Sequence, residues 1–274
     1  MERALSPLFA FNNSESDQGE AVLALHFGKS HVSYAVKNRS NGILQSLQYF
    51  QVDLWDPSHV DFWVTPLEPV LRTTPQVEIA FSFSDLSALP VAGFSEVKLK
   101  ALHQSIYPFR GPAFFRTETI AAWQLYLGYP IPLALYQKCE SLFPHARKRH
   151  AFKLMLDASG QSTSAGKLMV ELGIEEFHLV LVKNNRLQFF QTFLYENPAD
   201  VLFQLLTLCE SQQISPSEVE VVLSGLLEKD SALYRELWQY FMHVQFRDTP
   251  FRVGEFPYPP HYFTILNDLL ACAS

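Results

Sequence analysis

The chain has 274 residues, 48% hydrophobic and 18% charged, which supplies a full core and excludes a disordered polar chain. Its formal net charge of −7 argues against nucleic acid as a partner, because phosphate backbones select a basic face. No apolar run approaches the ~18 residues that cross a bilayer, and the opening Met1-Glu2-Arg3-Ala4-Leu5 lacks the apolar stretch of a signal peptide.

In chain order, residues 11–20 are polar and read as a lead-in. Ala21 to Leu25 is a buried strand that runs into His26-Phe27-Gly28-Lys29-Ser30, and His31 to Val36 is the next strand. Lys37 to Gly42 is a turn whose Asn41-Gly42 pair tolerates positive φ. Ile43 to Val52 returns as a third strand. Asp56-Pro57 then opens a helix expected to reach Leu71, since Asp caps free N–H groups and Pro suits the first helical position. Pro75 precedes a fourth strand, Val77 to Phe81. Val97, Leu99, Leu102 and Ile106 place a helix within 94–108, while 120–127 and 133–142 read as further helix or mixed segments. The basic run Arg147-Lys148-Arg149 reads as a solvated helix end or loop. Residues 157–166 are small and polar, as a loop between domains should be. They divide the chain into lobes 1–156 and 157–274.

The second half repeats the plan of the first. Lys167 to Leu172 is a strand ending at Gly173, Phe177 to Val182 follows, Lys183-Asn184-Asn185-Arg186 turns, and Leu187 to Tyr195 returns. Asn197-Pro198 opens a helix with Val201, Leu202, Leu205, Leu206 and Leu208 at helical spacing. Pro216 precedes Val219 to Leu223. Gly28 to Pro57 is 29 positions against 25 for Gly173 to Pro198, and Pro57 to Val77 is 20 against 21 for Pro198 to Val219. Ser231 to Phe241 is a helix, His243 to Phe246 a short strand, and His261 to Ala271 a closing helix. The 23 phenylalanines imply an aromatic core. Phe109 to Phe115 and Phe251 to Tyr262 read as loops packed on that core, with a partner-docking surface as the alternative. Cys139, Cys209 and Cys272 have neither a disulfide framework nor zinc spacing, which fits free thiols in a cytoplasm.

A strand–turn–strand unit with glycine at its first turn brings backbone N–H groups close enough for phosphate. Two such turns, with Leu223-Ser224-Gly225, resemble the actin, sugar-kinase and heat-shock-chaperone superfamily of duplicated ribonuclease-H-like lobes. Leu89-Pro90 with Phe94, Leu142-Phe143-Pro144 before His150, and Phe263-Thr264-Ile265-Leu266-Asn267 to Cys272 carry a closer resemblance over nearly the whole chain. They are similar to a bacterial family of about this length with an actin-like ATPase fold. The resemblance implies an α/β fold of two lobes with mixed sheets about a central cleft. It also implies ATP as a possible ligand and a cofactor site at Gly28, Lys29, Ser30, Gly173, Ser224 and Gly225.

The metal-organising residue departs from the pattern. Active members carry Asp-x-Gly at the first turn, and here His26-Phe27-Gly28 stands in its place. Mg²⁺ prefers oxygen ligands, so histidine is a poor substitute. The second turn, Glu171-Leu172-Gly173 followed by Glu175, puts another acid where phosphate would sit. No catalytic residue and no metal ligand is therefore assigned. The resemblance implies a degenerate, non-catalytic interaction or scaffold module with a protein partner. A nucleotide-binding protein with weak ATPase or kinase activity, with Glu171 or Asp157 as metal carboxylate, is the alternative, and a sensor of another small molecule in the same cleft is a third. Gly160 to Lys167 misses the P-loop spacing by one residue and has Leu168 where Ser or Thr should bind Mg²⁺. His145 and His150 are spaced wrongly for one helical face. Asp53 and Asp157 read as turn residues near strand ends.

Overall fold

The computed structural model describes residues 6–13, 20–72, 75–247 and 249–273. They form two compact units. The first comprises Met1–Ala151, Phe251–Glu255 and Ile265–Ser274, and the second Phe152–Pro250 and Phe256–Thr264.

In the first unit, β1 (Phe9–Asn12), β2 (Ala21–Gly28), β3 (His31–Asn38) and β4 (Leu44–Gln51) pair antiparallel, and β2 pairs in parallel with β5 (Gln76–Ser82). Before β5, α1 (Glu68–Leu71) is a single turn. A second sheet follows, from β6 (Ser87–Pro90), β7 (Ala113–Ile120) and β8 (Leu125–Pro132), with α2 (Glu96–Ile106) between its first two strands. Then α3 (Leu133–Leu142) leads to β9 (Arg147–His150), which joins β5 in parallel and completes the order β1-β4-β3-β2-β5-β9.

The second unit begins on α4 (Ala151–Ala158), whose first residue belongs to the first unit. Next come β10 (Lys167–Leu172), β11 (Glu176–Lys183), β12 (Arg186–Leu194), α5 (Pro198–Ser211), β13 (Glu220–Gly225), α6 (Ala232–Tyr240) and β14 (His243–Phe246). The sheet order is β12-β11-β10-β13-β14, with antiparallel pairs on one side of β10 and parallel pairs on the other. Strand for strand this repeats β4-β3-β2-β5-β9. The closing helix, α7 (Thr264–Cys272), belongs to the first unit from Ile265 onward.

Both cores are apolar, and the first is strongly aromatic. Phe27, Trp63, Phe81, Phe83 and Tyr129 are buried together, with Phe27 edge-on to Trp63 at 5.1 Å between ring centroids. In the second unit Val201 and Leu205 of α5, Leu237 of α6 and Phe241 just after it pack with the buried residues of β10, β11 and β13.

The structure departs from local expectation in three places. Asp56 does cap the following residues, accepting from the Ser58 N–H. Yet only short 3₁₀ turns at Pro57–His59 and Thr65–Leu67 and the single turn α1 form before β5. Pro66 and Pro69 each remove a backbone donor, and Val60, Val64 and Thr65 are β-branched. Asn197-Pro198, by contrast, opens 14 residues of α-helix through a capping box with Asp200. Residues 120–127 are the end of β7, a 3₁₀ turn and the start of β8, a strand buried without a break from Leu127 to Pro132. The basic run is strand β9 rather than a solvated loop: Arg149, with a side chain 13% exposed, reaches the fully buried Glu78 at 2.7 Å, and Lys148 reaches Glu140 at 2.9 Å.

Of the polar lead-in, 14–19 lie outside the described residues, and Phe11 and Asn12 belong to β1. Within the aromatic segments Phe251 and Tyr262 are buried, whereas Phe109 is 87% exposed.

Candidate functional site

The first glycine turn joins β2 to β3. Gly28 pairs in register with Ser82 of β5, and the Ser82 hydroxyl meets His26 Nε2 at 2.5 Å. His26 Nδ1 in turn lies 3.3 Å from His31 Nε2. The His31 ring stacks on Tyr49 of β4, 5.0 Å between centroids and 9° from parallel. It also fills the space beside Gly28, since a Cβ built there would lie 2.3 Å from the ring. The glycine is thus needed for the approach of the protein's own histidine. The Lys29 and Ser30 carbonyls accept from Leu54 and Val52, tying the turn to the residues after β4.

The second turn follows β10. The Gly173 N–H donates to the Glu176 carbonyl at 2.8 Å, and Tyr195 Oη donates to the Gly173 carbonyl at 2.7 Å. A Cβ on Gly173 would come within 2.9 Å of the Glu176 oxygen. Beside it Glu171 is buried, at 8% exposure. Its carboxylate accepts from Ser224 Oγ and, at 2.8 Å, from Thr264 Oγ1. Gly225 closes β13 at φ +82°, where a Cβ would fall 2.1 Å from the Leu172 carbonyl oxygen. Ser224 and Gly225 therefore lock β13 to β10.

Gly28, Lys29 and Ser30 thus share one turn, and Gly173, Ser224 and Gly225 gather at the ends of β10 and β13. Local sequence reading did not find His31 or Thr264 beside these turns. His31 follows Gly28 closely, but its ring direction depends on Tyr49. Thr264 arrives from 93 positions away, with no local signal. Asp53 caps its own turn through the Trp55 N–H, and Asp157 pairs with Lys153 on α4. His150 is buried against the Phe83 carbonyl while His145 is exposed. Among the described residues no group of three or more His, Cys, Asp or Glu could hold a metal ion. The buried Cys139 and Cys209 thiols are pushed up by desolvation to about 12 and about 11, so both are protonated at neutral pH. No described helix is long and apolar enough to cross a membrane.

Two units that share the strand order β4-β3-β2-β5-β9 and β12-β11-β10-β13-β14, a glycine turn after β2 and after β10, and a serine–glycine pair at the end of β13 define the actin-like ATPase fold. The same fold occurs in a Bacteroides thetaiotaomicron protein of actin-like ATPase fold and unknown function, at TM-score 0.74 and 16% identity over 92% of this chain and 96% of that one. The PilM-PilN type IV pilus biogenesis complex contains a chain that matches at TM-score 0.56 and 13% identity, over 92% of this chain and 98% of that one. The chain belongs to the family described as protein of unknown function (DUF3822), whose model matches residues 11–244. No curated protein matches it.

Proposed function

We propose that this chain is a non-catalytic, cytoplasmic member of the actin-like ATPase fold that acts through a protein partner. One observation carries the reading: a group at each glycine turn, His31 at the first and Glu171 at the second, is engaged with the protein itself. The Glu171 carboxylate accepts two hydroxyl hydrogen bonds, and the His31 ring fills the space beside the Gly28 Cα. Binding Mg²⁺ at Glu171 would break those bonds in a buried site, and His31 crowds Gly28 with an aromatic ring. The similar PilM chain is seen in a complex with PilN, which supports a partner-binding use of the fold. Free thiols at all three cysteines support the cytoplasm.

The competing reading is a nucleotide site at Gly28, Lys29, Ser30, Gly173, Ser224 and Gly225. Its support is that the Lys29 and Ser30 side chains make no hydrogen bond or ion pair with the described residues. A melting experiment with and without millimolar ATP and Mg²⁺ separates the two. A ligand at about 100 times its Kd adds about 2.7 kcal/mol, or roughly 5–10 °C for a chain of this size. The proposal expects no shift. A Mg²⁺-dependent rise of that size, lost in Glu171→Gln, establishes the nucleotide reading instead.

A further inference from the structure

We propose that the first unit carries a binding pocket for a small aromatic carboxylate, away from both glycine turns. This inference is independent of the nucleotide question. The cavity has a volume of about 330 Å³ and lies against α2, the loop that follows it, and β7 and β8. That is the scale of small-molecule sites, which combine apolar walls with a few placed polar groups.

The walls are flat and apolar, from Trp55, Tyr107 and Phe115. The polar groups separate into engaged and available ones. Asp85 is the acid of the lining, and its buried carboxylate is held by Arg110 through Nε at 2.6 Å and Nη2 at 3.1 Å. Tyr107 Oη donates to the Leu86 carbonyl at 2.9 Å, and His103 Nδ1 meets Ser87 Oγ at 3.2 Å. What remains is mainly donors. Lys100 has no acidic partner among the described residues, Gln104 offers its amide, and Arg110 keeps N–H groups beyond the two on Asp85.

Charge then selects the ligand. Burial lowers the His103 pKa, so His103 adds no charge at neutral pH. Lys100 and Arg110 set against Asp85 leave one net positive charge. A cationic ligand would meet Lys100, and a phosphate dianion would overcompensate beside Asp85. One carboxylate balances the site, and the aromatic walls match one ring with a short linker. Phe109 stands in the lining at 87% exposure, and a bound ring would give it an apolar surface to cover.

A free small acid and the C-terminal residue of a polypeptide offer the same chemistry, so the test carries both. The full chain is titrated calorimetrically with phenylpropionate and with phenylpropanamide, and with a hexapeptide ending in Phe whose C-terminus is free or amidated. At least one carboxylate form is expected to saturate, with its amide weaker by about tenfold or more, as expected for a lost charge-assisted hydrogen bond. Saturation by phenylpropionate identifies a free acid, and saturation by the free peptide alone identifies a chain terminus. Lys100→Ala on exposed α2 should lose several-fold in affinity with an unchanged melting temperature. Arg110→Lys, which keeps a charge against Asp85 but loses the fork, should show the same loss. The proposal is overturned if neither carboxylate saturates at millimolar concentration, if acid and amide bind equally, or if Lys100→Ala binds as well as the parent.

Discussion

Replacing Gly225 by alanine tests whether the second glycine turn serves the sheet. The added Cβ would lie 2.1 Å from the Leu172 carbonyl oxygen and 2.6 Å from the Leu172 nitrogen. Both are backbone atoms with no rotamer to yield. Leu172 and Gly225 are paired in register, and the Leu226 N–H holds the same Leu172 carbonyl at 2.8 Å. Relief requires parting β10 from β13, two of the three central strands of the sheet. The φ of +82° costs alanine about 1–2 kcal/mol on its own. Forced overpacking adds about 1–3 kcal/mol, for a total near 2–5 kcal/mol. At about 2–4 °C per kcal/mol this lowers the melting temperature by roughly 4–20 °C.

Unfolding followed by circular dichroism measures the loss, with two comparators. Gly93 has φ +87° but nothing within 4 Å of its Cβ position, so Gly93→Ala isolates the conformational cost. Gly254 has ordinary φ and open space, so Gly254→Ala should be neutral or slightly stabilising. If Gly225→Ala melts within about 2 °C of the parent, or no lower than Gly93→Ala, the argument that this glycine is structural fails.

Two further outcomes follow from buried charge. Arg149→Ala removes the close, mostly buried partner of the fully buried Glu78 and should cost about 3–5 kcal/mol in urea unfolding. Arg147→Ala, whose side chain is 66% exposed and sits 3.8 Å from the same carboxylate, should cost less than about 1 kcal/mol; equal losses would refute the assignment. Burial lowers the His178 pKa from 6.5 to about 4, so between those values the unfolded chain binds the extra proton. Stability should then fall as pH drops through that window, by about 3 kcal/mol at most, and be flat above it as far as His178 is concerned. His178→Gln, which can keep the hydrogen bond to Thr192 seen at 2.7 Å, should reduce that slope in urea midpoints measured from about pH 7 to about pH 4.5; an unaltered slope would assign the pH dependence to other groups.

The sequence by itself determined the repeated strand–turn–strand unit, the α5 helix behind Asn197-Pro198 and the α2 and α6 helices. Each rests on neighbours within a few residues: a period of two or 3.6, a cap, a proline or a turn pair. The departure from Asp-x-Gly at His26 was also legible, because it is a matter of residue type alone. Tertiary structure decided the rest. Pro66 and Pro69 overrode the helix signal at Asp56-Pro57, since a cap starts a helix but cannot replace missing backbone donors. The charges of 147–149 hid strand β9, because Arg149 is tolerated inside only where its guanidinium reaches Glu78 of the neighbouring strand β5. The contents of the two glycine turns were equally out of reach. The His31 ring is aimed by Tyr49 on β4, and Glu171 is capped by Thr264 from the far end of the chain. Periodicity along the chain fixes which face of an element is apolar, but the partner that fills a given gap is set by elements distant in sequence, and only their packing brings them together.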